Sequence, residues 1–120
     1  FIGAEGYDGL ECRLGNANKL PVEDDTVDSS FIGMSLNDFE NPSQIISEMI
    51  RTTKSDGKII IFDAEFAKNT SNFFSGMEIT KAKNLLAEAG LLKMSIEKLG
   101  TLQNQDNLEA SPYIISANVP

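Results

Sequence analysis

Residues 41–63 constrain the fold more than any other part of the chain, because three structural signals follow one another there without a gap. Asn41 is a favoured helix-capping residue type, Pro42 suits the first helical turn where its missing N–H is dispensable, and Gln44 stands where a capping side chain reaches back. Ile45, Ile46, Met49, Ile50 and Thr53 recur at three- and four-residue spacing, which predicts one buried helical stripe. Ser55, Asp56 and Gly57 predict the helix stop. The run KIIIFD, residues 58–63, is apolar and β-branched, the pattern of a central strand covered on both faces. Helix, short turn and buried strand form the αβ half of a right-handed crossover unit, so the sheet is expected to be parallel at its centre.

The flanking segments extend this α/β pattern. Residues 10–14 are expected to form a short strand ended by the turn-prone run Gly15, Asn16, Ala17, Asn18, and Glu23, Asp24 and Asp25 to form a solvated loop. The mixed apolar run VDSSFIGM, residues 27–34, suits a strand buried on both faces. A helical piece is expected around residues 66–74, with Asn69, Thr70 and Ser71 opposing it. Thr80 is expected to cap a helix whose stripe is Ala82, Leu85, Leu86 and Ala89, with Gly90 as its left-handed stop. Two strands, residues 93–99 and 112–119, flank the polar loop TLQNQDNLEA and are expected to pair antiparallel at the sheet edge. The expected order is that of a doubly wound domain with an antiparallel end.

Composition narrows the function. The 120 residues are 41% hydrophobic and 23% charged with no composition break, so a single domain over residues 1–120 with one core is expected. A net charge of -8 opposes the phosphate neutralisation that drives nucleic-acid binding, so nucleic acid is not an expected partner. The apolar run at residues 59–62 is far short of the roughly 20 residues that cross a bilayer, and no membrane insertion is expected. The lone Cys12 has no internal disulfide partner, which points to a reducing, intracellular compartment, cytoplasmic by default. The chain has no histidine, so a Ser-His-Asp triad, a Cys-His pair and His-bearing zinc sites are excluded. It starts at Phe1 without a basic, apolar leader and reads as a fragment or processed product.

Three segments carry a resemblance. GNANKLPVEDDTVD, residues 15–28, resembles the stretch of small-molecule methyltransferases that runs Gly-Asp-Ala, Leu-Pro-Phe, an acidic loop and Phe-Asp, with Leu20, Pro21, Asp25 and Asp28 matching. Residues 35–63 resemble the same family's capped helix, Glu-Met-x-Arg helix end, Lys-rich turn and Gly before a central strand, with Glu48, Met49, Arg51, Lys54 and Gly57 in register. ITKAKNLLAEAGLLKMSIEKL, residues 79–99, resembles its late helix ending in Ala-Gly before the first of two antiparallel strands. The family is that of class I S-adenosylmethionine-dependent methyltransferases. The resemblance implies an incomplete Rossmann-like sheet, parallel at its centre with an antiparallel pair at the carboxy-terminal edge, and S-adenosylmethionine as cofactor. Such domains hold the methionine part of the cofactor on a glycine-rich turn after a first strand. Gly3, Gly6 and Gly9 follow no strand and open no helix, so they do not match that turn.

The same resemblance assigns candidate residues. Asn16 stands where the family has an acid that accepts a hydrogen bond from the adenine amino group, and an amide oxygen accepts the same bond. Asn16, Ala17, Gly33, Met34 and Ser35 are the candidate cofactor-binding residues, and Asn37 is the candidate substrate-binding residue. The last four lie at the carboxyl end of a strand, where ligands sit in open α/β sheets. Val22 and Val27 replace the family's usual aromatics and leave smaller pocket walls. No catalytic base and no metal site is assigned, since methyl transfer from a sulfonium needs mainly alignment and a water-poor site. Asp28, Glu48 and Arg51 are expected to form a charged brace, Asp63 and Glu65 to be either paired carboxylates or a metal ligand pair, and Phe73, Phe74 and Met77 to form an apolar patch. Two functions follow: part of a methyltransferase acting on a small molecule or protein, or a non-catalytic scaffold resembling the methyltransferase-like amino-terminal domain of anamorsin. Unpaired sheet edges predict a partner chain or self-association.

Overall fold

The structure, a computed structural model, describes residues 8–66, 76–103 and 109–120. Its elements run β1 (Val27–Gly33), a 3-10 turn (Leu36–Asp38), α1 (Pro42–Thr52), β2 (Thr53–Phe66), α2 (Ile79–Glu88), β3 (Leu92–Lys98), β4 (Leu102–Gln103) and β5 (Glu109–Asn118). They build a five-stranded sheet ordered β1-β2-β5-β3, with β4 also pairing to β5. β1 and β2 are parallel, and β5 runs antiparallel to both β2 and β3.

The core lies on one face of this sheet. Ile59 and Ile61 of β2 pair with Ala117 and Ile115 of β5, and all four side chains are buried. Above them α1 lays Ile45, Ile46 and Met49, and α2 lays Ala82 and Leu86, into the same apolar cluster. Burying a side chain of the Ile or Leu class stabilises by about 1.5–3 kcal/mol, so this shared layer is the main force holding the helices to the sheet.

The opposite face differs from the expectation of strands buried on both sides. Ile60, Phe62 and Ile114 are only partly buried, and Phe31 of β1 is 65% exposed. Both helices that the structure describes pack on the other face, so the apolar run alone did not report how many layers cover it.

Other expectations are corrected locally. Residues 10–14 form no strand: Leu14 is 102% exposed, and the nearest pairing is an isolated bridge between Asn16 and Lys19. Without a partner strand, five residues have nothing to pair with. The stop signal at Ser55, Asp56 and Gly57 does not follow α1 but lies inside β2, because α1 ends at Thr52 and the strand begins at once. There the pairing jumps from Val27↔Thr53 to Ser29↔Lys58, and Asp56 takes a φ of 66°, so the turn chemistry makes a bulge. Asn41 precedes α1 with Pro42 in its first turn, but no side chain caps the helix. Thr80 is not the cap of α2; Glu78 holds that position and Thr80 lies within the helix. Gly90 does adopt the left-handed stop, with a φ of 86°. Part of the polar loop joins the sheet, as Leu102 and Gln103 pair with Ala110 and Glu109. The helical piece expected at residues 66–74 lies outside the described residues except Phe66, the last residue of β2, and Gly3, Gly6, Phe73 and Phe74 lie outside them too. Among the described residues no helix is long and apolar enough to cross a membrane.

Candidate functional site

A cleft of about 440 Å³ runs along β1. Its floor includes Ser30 and Ile32, which face the core, together with Ser29 and Phe31, which face the other way, so the cleft wraps the open edge of the strand. Ile45, Met49 and Thr52 of α1 form one wall. The other is built by Ala17, Leu20 and Val22 of the loop before β1, and Ser35 and Phe39 close the carboxyl end. The lining is apolar with a few hydroxyls, and its volume falls within the range of roughly 300–1,000 Å³ usual for small-molecule sites. Of those hydroxyls, Ser30 is engaged with Thr53 at 2.6 Å.

The candidate residues are divided by this geometry. Ala17 and Ser35 line the cleft. Asn16 sits in the tight turn beside Ala17, where its Oδ1 accepts the Asn18 amide at 2.9 Å and its carbonyl accepts the Lys19 amide at 2.9 Å. Gly33 ends β1, and Met34 follows in a left-handed conformation, φ 56°, its amide donating to the Phe62 carbonyl at 2.8 Å. Asn37 is turned toward α2: its Nδ2 donates to the Gly76 carbonyl at 3.1 Å and its Oδ1 accepts from Lys81 Nζ at 2.8 Å. Val22 and Val27 both line the cleft, as small walls.

A second polar cluster lies at the carboxyl end of β2. Asp63 is buried, and its Oδ1 accepts the amides of Ala64 at 2.8 Å and Met77 at 3.2 Å. Burial pushes its carboxyl above the ordinary carboxylate range, aided by the charge of Asp38 and opposed by the two amides. The buried Tyr113 hydroxyl donates to the Met77 carbonyl at 2.6 Å. Burial foremost, and then the charges of Asp63 and Glu65, push this phenol well above its usual range. Glu65 accepts the Ile79 amide at 3.1 Å at the start of α2, where a carboxylate is favoured by the helix dipole. Gly76 brings the chain so close that a Cβ would collide with the Ala64 carbonyl oxygen. Asp63 and Glu65 thus fasten the start of α2 to the sheet. Among the described residues no group of three or more potential ligands is placed to hold a metal ion. Tyr113 escaped the sequence reading, although the alternation Tyr113, Ile115, Ala117 marks it as facing the core.

The charged brace takes a different membership from the one expected. Arg51 Nε binds Glu48 at 2.6 Å and Arg51 Nη1 binds Asp24 at 2.6 Å, whereas Asp28 pairs with Lys54 at 3.0 Å. The hydrogen bond and charge of Arg51 hold the Glu48 carboxyl below its ordinary range.

Known proteins place this architecture. The profile of a family described as methyltransferase domain matches residues 3–61. A demethylmenaquinone methyltransferase of Halalkalibacterium halodurans is 39% identical over 62 residues, which is 52% of this chain and 25% of that protein. Another from Streptomyces avermitilis is 33% identical over 69 residues, 58% of this chain and 29% of that protein. The chain therefore spans under a third of the length of these curated relatives. Among solved structures, a Bacillus halodurans protein described as a methyltransferase superposes with a TM-score of 0.73 at 14% identity, covering 99% of this chain and 75% of that one. The geranyl diphosphate C-methyltransferase of Streptomyces coelicolor, solved with S-adenosyl-L-homocysteine, superposes with a TM-score of 0.69 at 14% identity, covering 90% of this chain and 53% of that one. At such identities the structural likeness is one of fold, and it agrees with a family match that rests on sequence. Sheet order, family profile and matched segments converge: the chain belongs to the class I S-adenosylmethionine-dependent methyltransferases.

Proposed function

We propose that the protein containing this chain transfers a methyl group from S-adenosylmethionine to a small apolar acceptor, and that this chain supplies one wall of the cofactor crevice. The observation that carries this reading is the cleft at the open edge of β1, whose lining includes Ala17 and Ser35, two of the residues the family resemblance assigns to the cofactor. The donor set fits an adenosyl group: an apolar slot for the base, an amide beside it at Asn16, and hydroxyls of Ser29 and Ser35 at the rim. Asn16 Oδ1 already accepts one amide and retains a lone pair for an adenine amino group. Gly33 and Met34 would extend this wall past the end of β1. Asn37 keeps one N–H and one lone pair beyond its bonds to Gly76 and Lys81, enough to touch a substrate.

When bound, S-adenosylmethionine supplies an electrophilic methyl group on a sulfonium. The part of this chain is to align and to exclude water, which suits a chain that holds no histidine. The curated relatives that match are demethylmenaquinone methyltransferases, and the apolar lining of the cleft supports an acceptor of that ring class.

The test is native mass spectrometry of the full-length protein with S-adenosylhomocysteine, followed by methyl transfer from labelled S-adenosylmethionine to demethylmenaquinone. A stoichiometric cofactor-sized shift and label in the quinone fraction are expected. A stable complex with another protein, with no cofactor uptake at about millimolar concentration, a strength no specific cofactor site should fall below, would replace this reading with a scaffold.

A further inference from the structure

The loop over residues 15–22 carries three of the cleft-lining side chains, yet it has neither helix nor strand to hold it. It is closed on itself at one end, where the Asn16–Lys19 bridge forms and the Pro21 ring seats against Gly15; a Cβ at Gly15 would lie 2.6 Å from the Pro21 Cδ. What ties it to the rest of the domain is one residue of α1 and its neighbour a turn on. Glu48 Oε1 accepts the Leu20 amide at 2.6 Å, and Arg51 Nη2 donates to the Leu20 carbonyl at 3.1 Å. Both backbone polar groups of a cleft-lining residue are therefore held by side chains of one helix. Arg51 and Glu48 are locked to each other through two contacts, at 2.6 and 2.9 Å, and Arg51 Nη1 reaches Asp24 on the far side of the loop.

We infer that Glu48 and Arg51 are positioning residues for the cofactor, which fix the distance between the Ala17–Leu20–Val22 wall and α1 and so set how tightly the adenosyl group is gripped. The inference rests on the cofactor reading above. A brace meant only for stability has no need to seize both the N–H and the C=O of one loop residue, and a charged network this exposed adds little to stability. The guanidinium is suited to the task because its planar fork serves the Leu20 carbonyl, Glu48 and Asp24 at once, which a lysine ammonium on a flexible stem does not.

The experiment measures S-adenosylhomocysteine affinity by calorimetry in the full-length protein and its Arg51→Met, Arg51→Lys, Glu48→Ala and Glu48→Gln variants. Amide hydrogen exchange is followed in parallel. Arg51→Met and Glu48→Ala are expected to weaken binding about tenfold, the scale of a loop displaced by a fraction of an ångström. Arg51→Lys should fall between Arg51→Met and wild type. Glu48→Gln, which keeps an acceptor for the Leu20 amide, should recover most of the affinity lost in Glu48→Ala. The Leu20 amide should lose protection while the β2 and β5 amides keep theirs. Wild-type affinity in Arg51→Met overturns the inference, as does wild-type affinity in Arg51→Lys should the methionine variant fail to fold. Equal losses in Glu48→Gln and Glu48→Ala overturn it as well. If the wild-type protein itself binds no S-adenosylhomocysteine, the cofactor reading is overturned, and this inference with it.

Discussion

One polar cluster of this domain is sealed inside it and another lies at its surface, and the two hold the chain by different means. Asp63, Tyr113 and the Met77 backbone are enclosed where β2 and β5 meet the start of α2. Water cannot replace a hydrogen bond broken there, so each donor or acceptor left alone bears its full desolvation cost. Arg51, Glu48 and Asp24 lie where solvent can refill a lost contact, Asp24 being largely exposed. The comparison teaches that similar hydrogen bonds serve stability in one place and placement in the other. What decides is access to water.

The sharpest way to break the comparison is Asp63→Ala. It strips the Ala64 and Met77 amides of their acceptor, and urea denaturation should show a loss of about 2–4 kcal/mol for two buried donors left unsatisfied. Tyr113→Phe removes a single donor from the Met77 carbonyl, and the loss should be smaller, about 1–2 kcal/mol. If either variant is as stable as wild type, the interior cluster is not sealed.

Acidity sharpens the contrast further. Burial raises the Asp63 pKa, so between its unfolded value and that raised value the folded chain holds a proton the unfolded chain has released. The stability from this group is fully present below the ordinary carboxylate range and is lost as pH rises through the folded pKa. Wild type should therefore lose stability relative to Asp63→Asn as pH rises through that interval. The opposite slope in the difference between the two unfolding curves would mean that the amides, not burial, govern the carboxyl. The smallest effect belongs to the surface. Asp24→Asn should leave the unfolding midpoint nearly unmoved, and about 1 M salt, where screening reaches only about 3 Å, should erase what difference there is.

The parts of the molecule that could be read from sequence are those whose signal is local. The α1 stripe of Ile45, Ile46 and Met49, the strand KIIIFD and the Gly90 stop each rest on neighbours within a turn or a pleat, and each is found where it was expected. Failure came where the outcome depends on a distant partner. Residues 10–14 have strand-like composition but nothing beside them, and Phe31 is exposed because no layer covers its face. Ser55–Gly57 carries the residues of a helix stop, yet the parallel register with β1 turns them into a bulge. For the site, the family resemblance brought Ala17 and Ser35 to the cleft. Periodicity had no means of showing that Glu48 and Arg51 reach back across 28 and 31 residues to one backbone unit, because hydrogen bonds to main chain leave no residue-type signature at Leu20.

The order of strands in the sheet has a consequence for how this protein is made. β5 sits between β2 and β3, yet it comes after both in the chain. At a translation rate of about 5–20 residues per second, β2 leaves the ribosome seconds before the strand that covers its flank exists. Throughout that interval an apolar edge bearing Ile59 and Ile61 is bare, and so is the facing edge of β3. The nascent chain is therefore most exposed to chaperones, and to mispairing with its neighbours on the same message, just before residues 109–118 arrive.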